Sequence, residues 1–279
     1  MEEANIPIKK SSSSHKKPIE EILWLNILEL PYFRGLLRSV EASFYQDLEL
    51  PSPTLDLGCG DGHFVTAAFD RELEVGLDPS KKPLREAIKR GGYHTFVQGM
   101  GNELPFPNDY FGSAMSNSVL EHIPQIEEVI GEISRVLKPG APFIFCVPNH
   151  QFLDSLSIGN FLNRIGLKPI GNIYRSFFNR ISRHYHSDAP EVWQERLKRS
   201  GFILERWWNY YPPRSLKVTE WGHYFGLPCW IWHTLTGKWI LVQARWNLGL
   251  TYRLTQKYID NSECPEGVCA FYLARRNLG

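Results

Sequence analysis

Sulfur and excess charge are both scarce in this chain of 279 residues, which has five cysteines, three methionines and a formal net charge of +1. The cysteines (Cys59, Cys146, Cys229, Cys264, Cys269) are odd in number and scattered, with no Cys-x-x-Cys pair. That pattern argues against a disulfide frame or a zinc site and fits reduced, mostly buried thiols in a cytosolic protein. Cys264 and Cys269, beside Pro265 and Gly267, read as loop thiols. Near-neutral charge argues against a general nucleic-acid binder. The chain lacks any run of about eighteen apolar residues, so no spanning helix is expected, and its polar start lacks the apolar centre of a signal peptide.

What is present has a direction. Residues 1–17 hold Lys9-Lys10, four consecutive serines and Lys16-Lys17, and read as a disordered tail. From Pro18 the apolar residues Ile22, Leu23, Leu25, Ile27 and Leu28, then Phe33, Leu36, Leu37 and Val40, are spaced for two amphipathic helices before residue 53. Charge is uneven beneath the balanced total. Residues 51–150 carry 8 Lys and Arg against 13 Asp and Glu, whereas residues 151–259 carry 15 against 6. An anionic substrate or surface is therefore expected to meet the later half.

The organising stretch is Thr54-Leu55-Asp56-Leu57-Gly58-Cys59-Gly60-Asp61-Gly62-His63-Phe64. It reads as a short buried strand, a turn with glycine at every second position, and the start of a helix. Glycine lets a ligand lie against bare backbone and tolerates positive φ, while a helix start welcomes an anionic group. A dinucleotide and S-adenosylmethionine both use this device. The dinucleotide fingerprint wants a third glycine where His63 stands, and no Tyr-x-x-x-Lys pair follows the fourth strand, so a nicotinamide-dependent oxidoreductase is disfavoured. Twenty-two positions after Asp56, a second strand ends in Asp78, whose carboxylate can accept from both hydroxyls of a ribose.

Four motifs in register carry a family resemblance: Asp-Leu-Gly-Cys-Gly-Asp-Gly (56–62), Gly-Leu-Asp-Pro-Ser (76–80), Glu-Leu-Pro-Phe-Pro (103–107), and Ser-Val-Leu-Glu-His-Ile (118–123) followed by Arg-Val-Leu-Lys-Pro-Gly (135–140). Over about residues 53–148 the chain resembles the class I S-adenosylmethionine-dependent methyltransferases, more closely the small-molecule type 11 group. The resemblance implies an α/β fold, a Rossmann-like doubly wound seven-stranded sheet whose last strand runs antiparallel between the fifth and sixth. It implies S-adenosyl-L-methionine as cofactor, no metal, and cofactor contacts at Asp56, Gly58, Cys59, Gly60, Gly62, Asp78, Pro79, Met100, Gly101 and Asn117. Asp56 would orient the turn and, with the Gly58 carbonyl, hold the methionine ammonium; Asp78 would take the ribose, Pro79 would cover the adenine, and Asn117 would end the strand beneath the sulfonium. One position departs from the pattern. Relatives have an acid where Met100 stands, so the purine would meet a soft apolar neighbour and the backbone of Met100 and Gly101, with Asn102 or Glu103 as substitutes for the missing acid.

The expected organisation is a tail (1–17), N-terminal helices (18–52) that either cover the cofactor or simply pack on the core, a cofactor-binding core (53–150), a helical cap insertion (151–187), and the remaining core (188–279) carrying an aromatic-rich insertion at about 212–267. The core is expected to resume with a helix in the stretch Asp188–Leu197, capped by Asp188 or Ser187, with Pro190 in its first turn and Gly201 ending it. Seven of the nine tryptophans lie in the second insertion or the strand leading to it. That insertion reads as a helical subdomain on the sheet edge, as an acceptor pocket, or as a patch lying in a membrane headgroup layer.

Methyl transfer asks mainly for an acceptor atom held in line with the methyl group, an alignment worth roughly 7–11 kcal/mol. A base is needed only where the acceptor loses a proton. His150 and His186 are the first expectations for that base, followed by His122 and His184, then His63 and Glu121. The acceptor is expected to be a small molecule, amphiphilic or anionic, such as a lipid, isoprenoid, polyketide or sugar-linked intermediate. The alternative is an inactive methyltransferase-like protein that binds ligands or a membrane surface.

Overall fold

The computed structural model describes residues 16–278. The tail expected over 1–17 therefore lies outside the described residues except for its last two, and these are tied down. Lys17 donates its backbone N–H to Gln46 at 2.8 Å and pairs with Asp70 at 2.8 Å, while Lys16 pairs with Asp47.

The chain opens with two helices, α1 (Ile19–Glu29) and α2 (Tyr32–Tyr45). The alternating core then follows: β1 (Thr54–Leu57), α3 (His63–Ala68), β2 (Leu73–Asp78), α4 (Lys81–Arg90), β3 (Tyr93–Gln98), β4 (Ser113–Asn117), α5 (Ile126–Val136) and β5 (Pro142–Pro148). Helix α3 is short, because Asp61 folds back to accept the His63 N–H at 3.1 Å and Phe69 is already extended. The apolar stripe of α5, Ile126, Val129, Ile130, Ile133 and Val136, is buried as its period requires.

The cap consists of α6 (Ser157–Arg164) and α7 (Lys168–Ser182). Helix α8 (Pro190–Arg199) and strand β6 (Phe202–Tyr210) resume the core, and β6 stops where Tyr211 turns to φ +65°. The predicted cap of α8 is corrected. Ala189 occupies that position, and Asp188 instead accepts from Arg196 at 2.6 Å, a stronger partner than a backbone N–H. Three helices fill the second insertion, α9 (Pro213–Phe225), α10 (Leu227–Thr236) and α11 (Arg245–Gln256), before β7 (Cys269–Arg276) closes the sheet. Cys269 is thus a buried strand residue rather than a loop thiol, and all five cysteines are free.

The seven strands are ordered β3-β2-β1-β4-β5-β7-β6, with β7 antiparallel to both neighbours and the other pairings parallel. Both faces are covered, as a parallel sheet demands. Along β5, Ile144 and Cys146 join one core with Leu36, Val40 and Phe271, whereas Phe143, Phe145 and Val147 join the other with Ile130, Trp193 and Tyr272. Helix α2 packs on α1, α3 and α9, and reaches over the carboxyl end of β4, where Arg38 Nη1 donates to the Asn117 carbonyl at 3.0 Å. No helix among the described residues is long and apolar enough to cross a membrane.

Candidate active site

The turn after β1 is stitched to the end of β2, since the N–H groups of Gly58 and Cys59 both donate to the Leu77 carbonyl, at 2.7 and 3.0 Å. Gly58 sits at φ +81°, and a Cβ there would lie 2.5 Å from Val119 Cγ1. Gly60 differs. At φ +57° its missing Cβ would meet nothing within 4 Å, so this is the bare face of the turn. Gly62 caps α3 and lets it pack closely on Ala87 of α4.

Asp78 stands beside that bare face. Its Oδ2 accepts the Gly60 N–H at 3.1 Å and its Oδ1 accepts the Ser80 N–H at 2.7 Å. Each oxygen keeps a second lone pair for a ligand hydroxyl. Pro79 and Met100, at the ends of β2 and β3, are exposed, and Gly101 packs its backbone against Leu57 and Val129. Of the substitutes for the missing acid, Asn102 is turned away toward Glu128, to which it donates at 3.0 Å.

Asp56 lies deeper than the sequence conveys. It is buried, its Oδ2 accepts from the Tyr93 hydroxyl at 2.5 Å, and burial lifts its pKa to about 6 against the opposing pull of that hydrogen bond. Cys59, buried beside it, has its thiol held well above the usual range by desolvation and by the nearby carboxylates. His63 is a tie between the turn and α1 rather than a base. Its Nε2 meets Asn26 Oδ1 at 3.0 Å and its Nδ1 lies 3.4 Å from Glu29, anchoring α1 to the turn. With Arg90 at 2.7 Å, that imidazole draws the Glu29 carboxyl down to about 2, the hydrogen bond from His63 being the largest cause.

At the end of β4, Asn117 is held by a network that sequence reasoning missed. Glu41, fully buried on α2, accepts from Asn117 Nδ2 at 2.7 Å, Ser118 Oγ at 2.6 Å, Tyr210 at 3.2 Å and Arg38 at 3.3 Å. The only signal available was a lone acid between Val40 and Ala42 on an apolar helix face.

The expected bases separate. His150 is exposed just past β5. His186 has both ring nitrogens engaged, Nε2 with the Ile123 carbonyl at 3.0 Å and Nδ1 with Arg196 at 3.3 Å, beside Asp188 at 3.4 Å. It ties the return from residues 157–182 to the core. His122 and His184 do meet, with ring centroids 5.4 Å apart, and the His122 Nδ1 is held by the Arg183 carbonyl at 3.1 Å. Burial lowers both imidazoles, His184 to about 4, and raises the neighbouring Glu121 carboxyl to about 8. At neutral pH Glu121 is therefore protonated and both rings are neutral.

Ligand atoms of Glu121, His122 and His184 lie within 4.8 Å of one another, a spacing within reach of a metal ion. The charges of Arg38, Arg183 and Arg34 act on the same His122 ring. That field disfavours a divalent cation and favours an anion.

A bare glycine face, a carboxylate beside it with lone pairs to spare, and exposed side chains at the ends of β2 and β3 fit S-adenosylmethionine. Residues 55–145 match the family model described as a methyltransferase domain. The match covers about a third of the chain. An uncharacterized methyltransferase of Mycobacterium leprae is 34% identical to the chain over 91 residues, 31% of this chain and 33% of that protein. A sterol methyltransferase-like protein of Botryococcus braunii is 37% identical over 97 residues, 32% of this chain and 25% of that one. The similarity spans about a third or less of the length of these relatives.

The fold extends the likeness beyond the methyltransferase segment. A SAM-dependent methyltransferase of Thermotoga maritima, described as a possible histamine N-methyltransferase, superimposes with a TM-score of 0.54 at 14% identity, covering 92% of this chain and 94% of that one. The match to a methyltransferase domain implies S-adenosylmethionine as the cofactor of the matched segment.

Proposed function

We propose that this protein transfers a methyl group from S-adenosylmethionine to a small acceptor of amphiphilic or anionic character. The observation that carries the reading is the open Gly60 face with the Asp78 carboxylate bonded to its N–H at 3.1 Å. When bound, the cofactor supplies a methyl group on a sulfonium that leaves as a neutral thioether. An acceptor atom held in line with that methyl group would take it as the carbon–sulfur bond broke, the electron pair of that bond remaining on sulfur.

The chain's own part is to bind and to orient. Asp78 would accept from the ribose hydroxyls, Pro79 and Met100 would flank the adenine, and Asn117, fixed by Glu41, would set the floor near the sulfonium. Asp56, buried against Tyr93, would act on the ammonium through the turn it supports. An acceptor that is already anionic at its reacting atom needs no base. For one that must lose a proton, His150, exposed just past β5, would be the base, with His122 and His184 as the paired alternative.

Calorimetric titration with S-adenosylhomocysteine, NAD and NADP tests the cofactor class. Micromolar binding of S-adenosylhomocysteine alone supports the proposal, and tighter binding of either dinucleotide sinks it. Turnover follows by mass spectrometry of methylated product across acceptor classes. Binding without product from any class favours the second reading, an inactive binding protein.

We also propose a peripheral membrane contact through the second insertion. Trp230, Trp232, Leu235, Trp246 and Leu250 on α10 and α11 are exposed, beside the exposed cations Lys238, Arg245 and Arg253. Apolar side chains among cations suit an anionic headgroup layer.

A further inference from the structure

Arg34 and Arg38 sit one turn apart on α2, and their charges are close enough for each to act on the other. Arg38 is matched by Glu41 and the Asn117 carbonyl. Arg34 makes neither an ion pair nor a hydrogen bond among the described residues; its guanidinium lies over the ring of Trp239, 5.4 Å from the centroid. The guanidinium is exposed beside that ring, so an incoming anion can pair with it.

The surroundings add polarity without adding charge. His122 and His223 both feel Arg34, and both rings are held neutral at physiological pH, chiefly by burial. His223 is fixed by the Thr219 carbonyl at 2.8 Å and lies against Phe33, with ring centroids 4.6 Å apart. Trp239, on which Arg34 rests, also lines an apolar cavity of about 410 Å³ together with Ile27, Phe33, Trp232, Ile240 and Leu248. Guanidinium and apolar cavity thus share one wall.

We propose that Arg34 and this cavity together form a subsite for an anionic single-chain amphiphile, whose carboxylate or phosphate pairs with the guanidinium while its chain lies between the N-terminal helices and the second insertion. Taking that amphiphile for the methyl acceptor rests on the methyltransferase reading; the binding itself does not. Arg34 suits either oxyanion, because its planar fork can donate two parallel hydrogen bonds. Chain length is felt through the cavity, at up to about fourfold in affinity per buried methylene.

The experiment is calorimetry on the full chain, with and without S-adenosylhomocysteine, using decanoate and decyl phosphate as monomers, decanol as the uncharged control, and inorganic phosphate as the chainless one. The expected result is that both anionic amphiphiles bind at least about tenfold more tightly than decanol. Arg34→Gln should erase that preference, Arg34→Lys should keep part of it, and Trp239→Ala should weaken all three chains. S-adenosylhomocysteine affinity and the thermal melt should stay unchanged in Arg34→Gln. Equal binding of decanoate and decanol to the parent overturns the proposal, as does inorganic phosphate binding as tightly as decyl phosphate. Loss of S-adenosylhomocysteine binding in Arg34→Gln also overturns it, because Arg34 would then serve the methionine carboxylate. Amphiphile binding in a protein that ignores S-adenosylhomocysteine altogether would sink the methyltransferase reading and leave the subsite standing.

Discussion

The Tyr93 hydroxyl donates to Asp56 Oδ2 at 2.5 Å across the floor of the glycine turn, joining β1 to β3 past the strand that lies between them. Burial holds the Asp56 pKa at about 6, above its ordinary 3.8, and the Tyr93 bond works the other way by favouring the carboxylate. The folded state therefore binds this proton more tightly than the unfolded chain does. Its contribution to stability is fully present below about pH 4 and is lost as pH rises through about 6. Urea denaturation across that range should show a fall in the parent that Asp56→Asn lacks, and Tyr93→Phe should extend the fall to higher pH. Parallel profiles for all three proteins would mean that Asp56 does not titrate there.

Gly58 and Gly60 are predicted to fail in different ways. Alanine at Gly58 drives a Cβ to 2.5 Å from Val119 at φ +81°, so the cost is one of folding. Alanine at Gly60 meets no protein atom within 4 Å and pays only for its positive φ, about 1–2 kcal/mol. The measurement is paired melting and S-adenosylhomocysteine titration. Gly60→Ala should melt close to the parent yet bind at least about tenfold more weakly, whereas Gly58→Ala should lose most of its stability. Parent-like affinity in Gly60→Ala would remove the bare face from the site.

These glycines show what was legible in advance. Positive φ, strand period and strand-end acids are local, so the turn and the strands ending at Leu57 and Asp78 could be read from short stretches of sequence, whereas the arrangement of the sheet came only from the family resemblance. The Arg38–Glu41–Asn117–Tyr210 network could not, since the partners of Glu41 lie 76 and 169 residues away and nothing nearby announces them. The helix cap at Asp188 was misread for a related reason. Arg196, two turns on, competes for the same carboxylate and wins by charge. His186 looked free in the sequence because Ile123 and Arg196 reach it only through the fold.

Glu41 is a buried carboxylate whose partners include Arg38, so removing it should leave an unpaired guanidinium and three unsatisfied donors. Breaking such a pair costs about 3–5 kcal/mol, roughly 10 °C in Tm for a chain of this size. Glu41→Ala should show that loss, and Arg38→Met combined with Glu41→Leu should recover part of it, because an apolar pair needs no counter-charge. A loss below about 1 kcal/mol in Glu41→Ala would indicate that water replaces the carboxylate and that the network does not fix Asn117.

The membrane contact makes the last prediction, and its two components separate by salt. Exposed tryptophans contribute apolar transfer, roughly 1.5–3 kcal/mol for a large side chain that becomes buried, and this persists at high ionic strength. Lys238, Arg245 and Arg253 contribute attraction that fades as the screening length shrinks to about 3 Å at 1 M salt. Flotation with phosphatidylglycerol vesicles should therefore carry the protein at low salt, release most of it in 1 M salt, and show a blue shift of tryptophan emission on binding. Phosphatidylcholine vesicles should carry much less. Trp230→Ser with Trp246→Ser should weaken flotation at both salt concentrations, because those rings are 57% and 81% exposed and support little of the fold. Failure to float with either lipid at low salt would leave α10 and α11 as a helical subdomain on the sheet edge, their tryptophans turned to water.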